Sequence, residues 1–230
     1  LVASILAKRS SPRGRKRLHT DRLVYEAIIF VLRAGLPWRM LPERFPPWQT
    51  VYGRFRSWQD TGIWQELTDT LRRQLRIELG PNPEPTAGVI DSQSVKSGPC
   101  GGAVGYDAAK KVKGRKRHVV VDTEGLLISV TVTPASVQDP TAGSTALDEA
   151  KDTAPQLIHL WGDGRYGGEL ADWAERSLNI TVEVVSHPRG SKGFVPLPRR
   201  WVVERTFAWL VWCRRLARDW ERASWSAAAW

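Results

Sequence analysis

The order of apolar and polar positions divides the chain into a helical first part and a strand-rich second part. Up to residue 80, apolar side chains recur at helical spacing in three segments. The first begins after Thr20, a predicted N-cap, and ends at Gly35; the second begins after Thr50, a second predicted N-cap. The third runs from Ile63 to Gly80. Three short helices with a Pro-rich connection over residues 36–47 favour a helix-turn-helix-like module.

A break follows at residues 80–85, where Gly-Pro-Asn-Pro-Glu-Pro can continue neither a helix nor a strand. We therefore predict a basic helical domain over 1–80, a Pro-rich linker over 81–86 and a second domain over 87–230. In that second domain apolar runs alternate with helical patterns. The predicted strands are 86–90, 118–122, 126–133, 157–161 and 180–185, and the predicted helices are 141–151, 168–177 and 200–222. This order predicts an α/β fold with a mixed sheet and helices packed against it.

The net charge of the chain indicates what kind of molecule it binds. The chain has 34 Lys and Arg against 24 Asp and Glu, a net charge of +10, of which residues 1–85 carry +7. Such an excess is typical of proteins that bind a polyanion such as nucleic acid. A membrane partner is disfavoured, because no run approaches the roughly 18 to 20 apolar residues that a spanning helix needs. The start of the chain lacks the pattern of a signal peptide, and the two cysteines are interpreted as reduced thiols, so we expect a cytoplasmic, nucleoid-associated protein.

Basic residues that could contact DNA phosphates fall in three places. An arm before the first helix and a run before the predicted hairpin are both rich in Lys and Arg, and two arginines lie in the region of the second predicted helix. For the arm the alternative is a solvated tail, and for the run it is a solvated hairpin face. The candidates are Arg13, Arg15, Lys16 and Arg17 in the arm, Arg54 and Arg56 in the helical part, and Lys113, Arg115, Lys116 and Arg117 in the run.

Three carboxylates stand out by position. Asp91 and Asp163 each follow an apolar strand, where α/β sheets present ligand-binding groups, although a turn residue is the commoner explanation for either one alone. Glu204 lies inside a segment that is apolar on nearly all sides, so we expect it to be buried. A buried carboxylate needs a partner, which leaves open an ion pair with Arg200, four residues earlier, or a metal ion.

Three carboxylates brought together in a basic protein are typical of metal-dependent chemistry on a phosphodiester. They can offset the charge of two divalent cations held roughly 3.5–4 Å apart, which act on a phosphodiester. Oxygen ligands favour Mg²⁺ or Mn²⁺, and the four histidines share no zinc-ligand spacing. The tryptophans of the last predicted helix are expected to be packing residues rather than platforms for stacked bases: Trp201, Trp209, Trp212 and Trp220.

Six sequence blocks, in order and across almost the whole chain, resemble the bacterial insertion-sequence transposases of the insertion-sequence-five family, which are related to the insertion-sequence-four group. The blocks are Trp38–Pro42, Pro46–Val51, Asp91–Lys96, Gly105–Asp107, Lys113–His118 and Arg199–Trp209.

The resemblance implies a ribonuclease-H-like catalytic domain with an Asp-Asp-Glu triad formed by Asp91, Asp163 and Glu204. It further implies two Mg²⁺ ions per active site, with Mn²⁺ as a substitute, bridged by Asp91 and each held by one of the other two carboxylates. Arg200 matches an arginine that contacts DNA phosphates in the wider family. The expected partners are double-stranded DNA, as terminal inverted repeats and target DNA, and a second copy of the chain in a homodimer that brings two ends together.

Two features depart from the family pattern. Leu197 and Val211 stand where the wider family has a tyrosine and a lysine, and Arg165 places a positive charge beside the second aspartate. The implied activity is cleavage at the ends of an insertion sequence and transfer of the 3′-hydroxyl strands to target DNA. A plain nuclease and a catalytically inactive, repurposed DNA-binding fragment are the alternatives.

Overall fold

The computed structural model describes residues 2–8, 18–99, 102–186 and 199–230. Its first part is helical, with α1 at Val2–Lys8, α2 at Asp21–Ala34, α3 at Trp48–Asp60 and α4 at Ile63–Leu79. The first predicted cap is confirmed, because the Leu23 N–H donates to Thr20 Oγ1 at 3.3 Å. Gly35 ends α2 in the left-handed conformation, with φ at 69°.

The second predicted cap is wrong. Helix α3 begins directly after Pro47, and Thr50 lies inside its first turn. The Pro47 carbonyl accepts hydrogen bonds from the N–H groups of Thr50 and Val51, at 2.9 and 3.2 Å. Proline has the fixed φ and the missing N–H that suit a helix start, so it takes the place that we had given to the threonine.

The core of the helical part includes the end of the chain. Ile28, Val51 and Phe55 are fully buried there. The C-terminal Trp230 stacks on Phe55, with ring centroids 4.5 Å apart, and lies 5.2 Å from the ring of Trp38. The N-terminal helices and the C-terminal segment therefore share one core.

Among the described residues, the second part forms a six-stranded sheet. The strands are β1 at Ala87–Lys96, β2 at Gly105–Asp107, β3 at Val112–Asp122, β4 at Leu127–Pro134, β5 at His159–Gly162 and β6 at Thr181–Val184. Strand β3 is antiparallel to β1, β2 and β4, whereas β5 is parallel to β1 and β6 is parallel to β5. The predicted mixed sheet is confirmed: strands β2, β3, β1 and β4 form an antiparallel half, and β5 and β6 continue it in parallel beyond β1.

Helices cover both faces of this sheet. Helices α5 (Asp139–Thr153) and α6 (Glu169–Leu178) pack on the face that carries Ile90 and Val120. Helix α7 (Trp201–Val211) packs on the opposite face, against Val89, Val119 and Val121. Side chains alternate between faces along a strand, so Asp91 points to the α7 side and Ser92 to the α5 side.

The hairpin between β3 and β4 ties the helical part to the sheet. Asp122 is fully buried and accepts hydrogen bonds from the N–H groups of Glu124 and Leu126, both at 2.9 Å. Its other oxygen pairs with Arg76 of α4 at 2.9 Å. Gly125 turns the chain with φ at 80°. One buried carboxylate thus stabilises both the turn and the packing of α4 on the sheet.

The predicted helix over 200–222 is interrupted. Helix α7 ends at Val211, and two short helices follow, α8 at Arg214–Ala217 and α9 at Ser224–Ala228. Between them Asp219 forms an isolated parallel bridge with Ser97, and its side chain pairs with Arg115 at 2.8 Å. Pairing with the sheet replaces the helix here, because a buried arginine needs that carboxylate. None of the described helices is long and apolar enough to cross a membrane.

Candidate active site

Asp91 lies in the middle of β1, at the point where pairing with β5 stops. The parallel register joins Gly88 to Leu160 and Val89 to Trp161. Continuing it by two residues places Asp91 level with Asp163, which directly follows β5. The two aspartates are close enough for the charge of Asp163 to act on Asp91, at the point where pairing between β1 and β5 ends.

The environment of Asp91 favours its neutral form. Its side chain is 15% exposed. Burial raises the pKa of Asp91 above its ordinary value and the charge of Asp163 raises it further, against the opposing effects of the Ser92 N–H, Arg200 and Lys110. The Ser92 N–H donates to Asp91 Oδ1 at 2.7 Å. This carboxylate would gain from a cation that offsets both burial and the neighbouring charge.

Asp163 caps the short 3-10 turn Gly164–Tyr166, and its Oδ1 accepts a hydrogen bond from the Arg165 N–H at 2.9 Å. Gly162 precedes it in close packing, where a Cβ would lie 3.1 Å from both Ile90 Cγ2 and Tyr166 Cβ. A larger residue at 162 would push the turn away from β1. The small residue therefore helps to keep Asp163 beside Asp91.

The environment of Glu204 differs from the one that the sequence predicts. It lies in the first turn of α7 but is exposed, because Val203 and Phe207 point inward instead. Within the described ranges Glu204 makes no ion pair with Arg200, so the expected burial is wrong and the expected pair is not formed. Arg200 instead donates to Asp91 Oδ2 at 3.3 Å.

Two of the three predicted carboxylates are thus neighbours, and the third lies one helical turn beyond Arg200. Among the residues that the structure describes, no group of three Asp, Glu, His or Cys side chains is placed to hold a metal ion. Asp91 and Asp163 are the two oxygen donors that could share a divalent cation.

A polar cluster on the opposite face of β1 was missed from the sequence. Asp139, the first residue of α5, is 2% exposed and pairs with Arg165 at 2.7 Å and with Lys116 at 3.0 Å. Burial raises the pKa of Asp139, but the hydrogen bonds from Arg165 and Lys116 outweigh burial and hold the pKa below its ordinary value. An aspartate at the start of a helix is usually a favourable dipole partner, so its position gave no separate signal.

His118 of β3 lies beside this cluster. Its Nδ1 is 3.9 Å from Asp139, and its Nε2 is 3.1 Å from Thr133 Oγ1. The imidazole is fully buried, and burial lowers the pKa of His118 to about 4. His118 is therefore neutral at neutral pH.

Three of the basic residues assigned to DNA are interior. The run that we expected to be exposed forms the buried part of β3, and Arg115, Lys116 and Arg117 are 1%, 4% and 5% exposed. Arg115 pairs with Asp219, Lys116 with Asp139, and Arg117 donates to the Leu216 carbonyl at 2.9 Å. The expectation of phosphate contacts is corrected for these three, because their charged groups are used to hold the C-terminal segment and α5 to the sheet.

Lys113 is exposed, as expected. It lines a cavity of about 790 Å³ that also contains three other cationic side chains, Lys96, Lys111 and Arg218, and none of the described residues that line the cavity is acidic. Within the described part of the chain, none of the three lysines has an ion-pair partner. We call this set of four residues the basic cavity.

The remaining DNA candidates divide into two groups. Arg54 lies 3.6 Å from Asp21 and is 22% exposed, while Arg56 is exposed and lies over the ring of Trp225 at 5.1 Å. The arm residues Arg13, Arg15, Lys16 and Arg17 lie outside the described residues.

The tryptophans of the C-terminal segment are more exposed than expected. Trp201, Trp209 and Trp212 are 45%, 39% and 77% exposed, and Trp220 is 38% exposed. Arg205 lies between Trp201 and Trp209, at 4.6 and 4.7 Å from the two rings. The expectation that these rings are core and packing residues is wrong, because α7 buries Val202, Val203 and Phe207 against the sheet instead.

Comparison with known families gives two matches that together cover most of the chain. The family model "Transposase DDE domain" matches residues 82–229, and the model "Putative transposase of IS4/5 family" matches residues 1–68. The first match includes Asp91, Asp163 and Glu204.

Two curated relatives are similar to part of the chain. The insertion element IS402 uncharacterized 16.2 kDa protein of Burkholderia cepacia is 31% identical over 80 residues, which are 34% of this chain and 53% of the relative. The uncharacterized protein y4sN of Sinorhizobium fredii is 31% identical over 67 residues, 29% of this chain and 54% of the relative. The chain thus spans about half the length of the curated relatives it matches.

Two solved structures are similar to part of the chain. One is the HTLV-2 integrase catalytic core domain in complex with magnesium, which is 16% identical to this chain with a TM-score of 0.37. The match covers 64% of this chain and 83% of the integrase chain. The other is the Mos1 strand transfer complex, which is 13% identical to this chain with a TM-score of 0.27. The match covers 76% of this chain and 60% of the Mos1 chain.

Proposed function

The chain belongs to the family of transposases with a DDE domain, and on that premise we propose that it cleaves DNA at the ends of an insertion sequence and transfers the freed 3′-hydroxyl strands to target DNA. The observation that carries the proposal is the placement of Asp91 beside Asp163, at the separation of β1 from β5, within the matched domain. We assign these two carboxylates to the reaction centre.

The residues fit a divalent cation. Asp91 is largely buried next to a second carboxylate, and both effects raise the pKa of Asp91. A cation between the two would relieve the repulsion and replace the lost water, and hard oxygen donors favour Mg²⁺ or Mn²⁺. When two such ions are bound, they supply activation of a water or 3′-hydroxyl and stabilisation of the leaving oxygen at a phosphodiester.

We propose Glu204 as the third carboxylate. It is exposed in the first turn of α7, where a carboxylate is favoured by the helix dipole, and its carboxylate has no ion-pair partner in the described ranges. Arg200 lies one turn earlier and already reaches Asp91. The residue before α7 is therefore in contact with Asp91, and Glu204 is the acidic residue in the first turn of that helix.

The basic cavity is the proposed contact for the DNA backbone beside the cleaved bond. Lys96 is five residues beyond Asp91 on the same strand, and a strand rises about 3.3 Å per residue, so the two Cα atoms are roughly 17 Å apart. Duplex DNA rises about 3.4 Å per base pair, so this distance corresponds to about five base pairs. A duplex that runs along the sheet from Asp91 over this distance would reach the end of β1, where the basic cavity lies.

The proposed partners are double-stranded DNA, as terminal inverted repeats and as target, and a second copy of the chain. Joining two ends of an element requires two active centres, which a homodimer supplies.

One observation favours a second candidate function, a DNA-binding protein without catalytic activity. Arg200 donates a hydrogen bond to the Asp91 carboxylate. Among the described residues, Glu204 does not form a group of three metal-binding side chains with the two aspartates. An arginine in that place can neutralise Asp91 without a metal ion.

A nicking and strand-transfer assay separates the candidates. The substrates are duplexes that contain the inverted repeats flanking the gene, with Mg²⁺ or Mn²⁺ present. The proposal expects nicking and joining that are lost in Glu204→Gln and kept in Glu175→Gln, a change of an exposed glutamate on α6. Joining from pre-cut 3′ ends distinguishes a transposase from a plain nuclease. Retained activity in Glu204→Gln would remove Glu204 from the proposed triad, and DNA binding without cleavage by the unmodified protein would favour the inactive candidate.

A further inference from the structure

Arg165 carries a positive charge two residues after Asp163, yet its guanidinium is held elsewhere. Its Nη1 donates to Asp139 Oδ2 at 2.7 Å, while its backbone N–H donates to Asp163 Oδ1 at 2.9 Å. The side chain is 46% exposed, so it has room for other conformations. The turn that presents Asp163 is thus joined to the start of α5 by this ion pair.

Asp139 is fixed from its other side. It is 2% exposed, and Lys116 Nζ lies 3.0 Å from its Oδ1. Lys116 in turn donates to the Val137 carbonyl at 3.0 Å, in the loop that leads into α5. A buried carboxylate between two cations cannot follow Arg165 if that side chain moves. Asp139 is therefore a fixed anchor, and Arg165 is the adjustable partner.

We propose that Asp139 is a positioning residue that holds the Arg165 guanidinium away from Asp163 and so keeps the Asp163 carboxylate available to a divalent cation. This inference rests on the proposed function, because it needs a metal ion at Asp91 and Asp163. Besides Asp139, the carboxylates that act on the Arg165 guanidinium are Asp163, on its own turn, and Asp107, and the effect of Asp163 is the larger. Without Asp139, an Arg165–Asp163 pair would compete directly with the cation.

A purely structural role for Asp139 is the competing explanation. Helix α5 also packs on the same turn through Gly143, where a Cβ would lie 3.3 Å from Tyr166 Cε1. Loss of Asp139 could displace Asp163 by loosening this packing or by leaving Lys116 unpaired. The two explanations differ in what removal of Arg165 should do.

The test is a double-mutant cycle on Mn²⁺ binding, measured by the electron paramagnetic resonance signal of free Mn²⁺ without DNA. The variants are Asp139→Asn, Arg165→Gln and both together, with Arg176→Gln, an exposed arginine on α6, as the matched control. Loss of a residue that orients a metal ligand typically weakens metal binding about 10- to 100-fold. We expect a loss of that size in Asp139→Asn, recovery to within about threefold of the unmodified protein in the double variant, and unchanged binding in the control.

The outcomes separate this inference from the proposed function. If Asp139→Asn weakens Mn²⁺ binding and Arg165→Gln does not restore it, the role is structural and the inference is overturned; equal binding by Asp139→Asn also overturns it. If the unmodified protein binds no Mn²⁺ that depends on Asp91 and Asp163, the proposed function itself fails.

Thermal unfolding of each variant checks the fold. If Asp139→Asn alone does not fold because Lys116 loses its partner, the same cycle is run with Lys116→Met present throughout, which removes the two buried charges together. Recovery upon Arg165→Gln in that background supports the inference, and its absence contradicts it.

Discussion

Three buried titratable side chains of this protein have pKa values displaced from their ordinary values. Asp91, His118 and Asp139 are all largely removed from water, yet their pKa values are displaced for different reasons. Burial and a neighbouring carboxylate raise the pKa of Asp91, burial lowers that of His118, and two cationic partners lower that of Asp139. The direction of each shift therefore predicts how stability should depend on pH.

For Asp91, the raised pKa means that ionisation destabilises the folded state. The contribution of the neutral acid is fully present below the unfolded pKa of about 3.9 and is lost as the pH rises through the folded value. Asp91→Asn should therefore unfold at a higher temperature than the unmodified protein at pH 7 in metal-free buffer, by a few degrees for roughly 1 kcal/mol. The difference should vanish near pH 3. Asp172→Asn, an exposed change on α6, is the control; a lower melting temperature for Asp91→Asn at pH 7 would contradict the assignment.

For His118, stability depends on pH in the opposite direction. A buried neutral imidazole contributes stability above its unfolded pKa of about 6.5, and that contribution is lost as the pH falls through the folded value of about 4. The shift corresponds to roughly 3 kcal/mol. His118→Gln should be less stable at pH 7 but should lose less unfolding free energy between pH 6.5 and 4. Denaturant titrations at several pH values measure this, and parallel pH curves for the two proteins would refute it.

At the scale of elements, the C-terminal segment after α7 is a strap across the sheet. The Arg115–Asp219 pair holds this strap: the two side chains are 1% and 3% exposed. Arg115 also donates to the carbonyls of Glu221 and Arg222, both at 2.7 Å. One strand residue thus determines the path of several residues that the apolar pattern had assigned to a helix.

Asp219→Asn should destabilise the protein by about 3–5 kcal/mol, because it leaves Arg115 buried without a countercharge. The double variant Arg115→Met/Asp219→Leu removes both charges and should recover most of that loss. Urea unfolding of the three proteins measures the difference. A loss below about 1 kcal/mol in Asp219→Asn would show that the pair does not hold the strap.

Elements with local signals were predicted from the sequence, and elements fixed by distant partners were not. Thr20, Gly35 and the hairpin turn at Gly125 determine their structure through neighbours within a few residues. The break after Val211 depends on Arg115, which is about a hundred residues away. The site follows the same rule: Asp91 and Asp163 were found from the ends of apolar segments, but the burial of Lys116 and the importance of Asp139 depend on contacts between β3 and α5.

At the scale of the whole molecule, positive charge has two uses. Arg76 pairs with Asp122 and holds the helical part to the sheet. Arg115 pairs with Asp219 and holds the strap to the sheet. The lysines of the basic cavity have no such pairs among the described residues and remain available to a polyanion. The division into domains 1–80 and 87–230 stays a prediction, and the stacking of Trp230 on Phe55 joins the two parts at the level of the core.

The basic cavity predicts a salt-dependent contribution to DNA binding. Each phosphate contact adds about 0.9 to the slope of log affinity against log salt. Lys111→Gln/Lys113→Gln should lower that slope by about 2 with a 30-base-pair duplex, measured by fluorescence anisotropy over a range of KCl concentrations. The control Lys151→Gln/Arg176→Gln removes the same charge from α5 and α6. Equal slopes for the two double variants would exclude the cavity as the DNA contact.

We propose that Asp91 and Asp163, completed by Glu204, hold divalent cations. This is tested by anomalous diffraction at the manganese edge, from crystals of the protein grown with Mn²⁺ and an inverted-repeat duplex. We predict two anomalous peaks roughly 3.5–4 Å apart, with Asp91 between them and Asp163 and Glu204 each at one. Crystals that contain the duplex but show no manganese beside Asp91 and Asp163, with Arg200 still paired to Asp91, would contradict the claim.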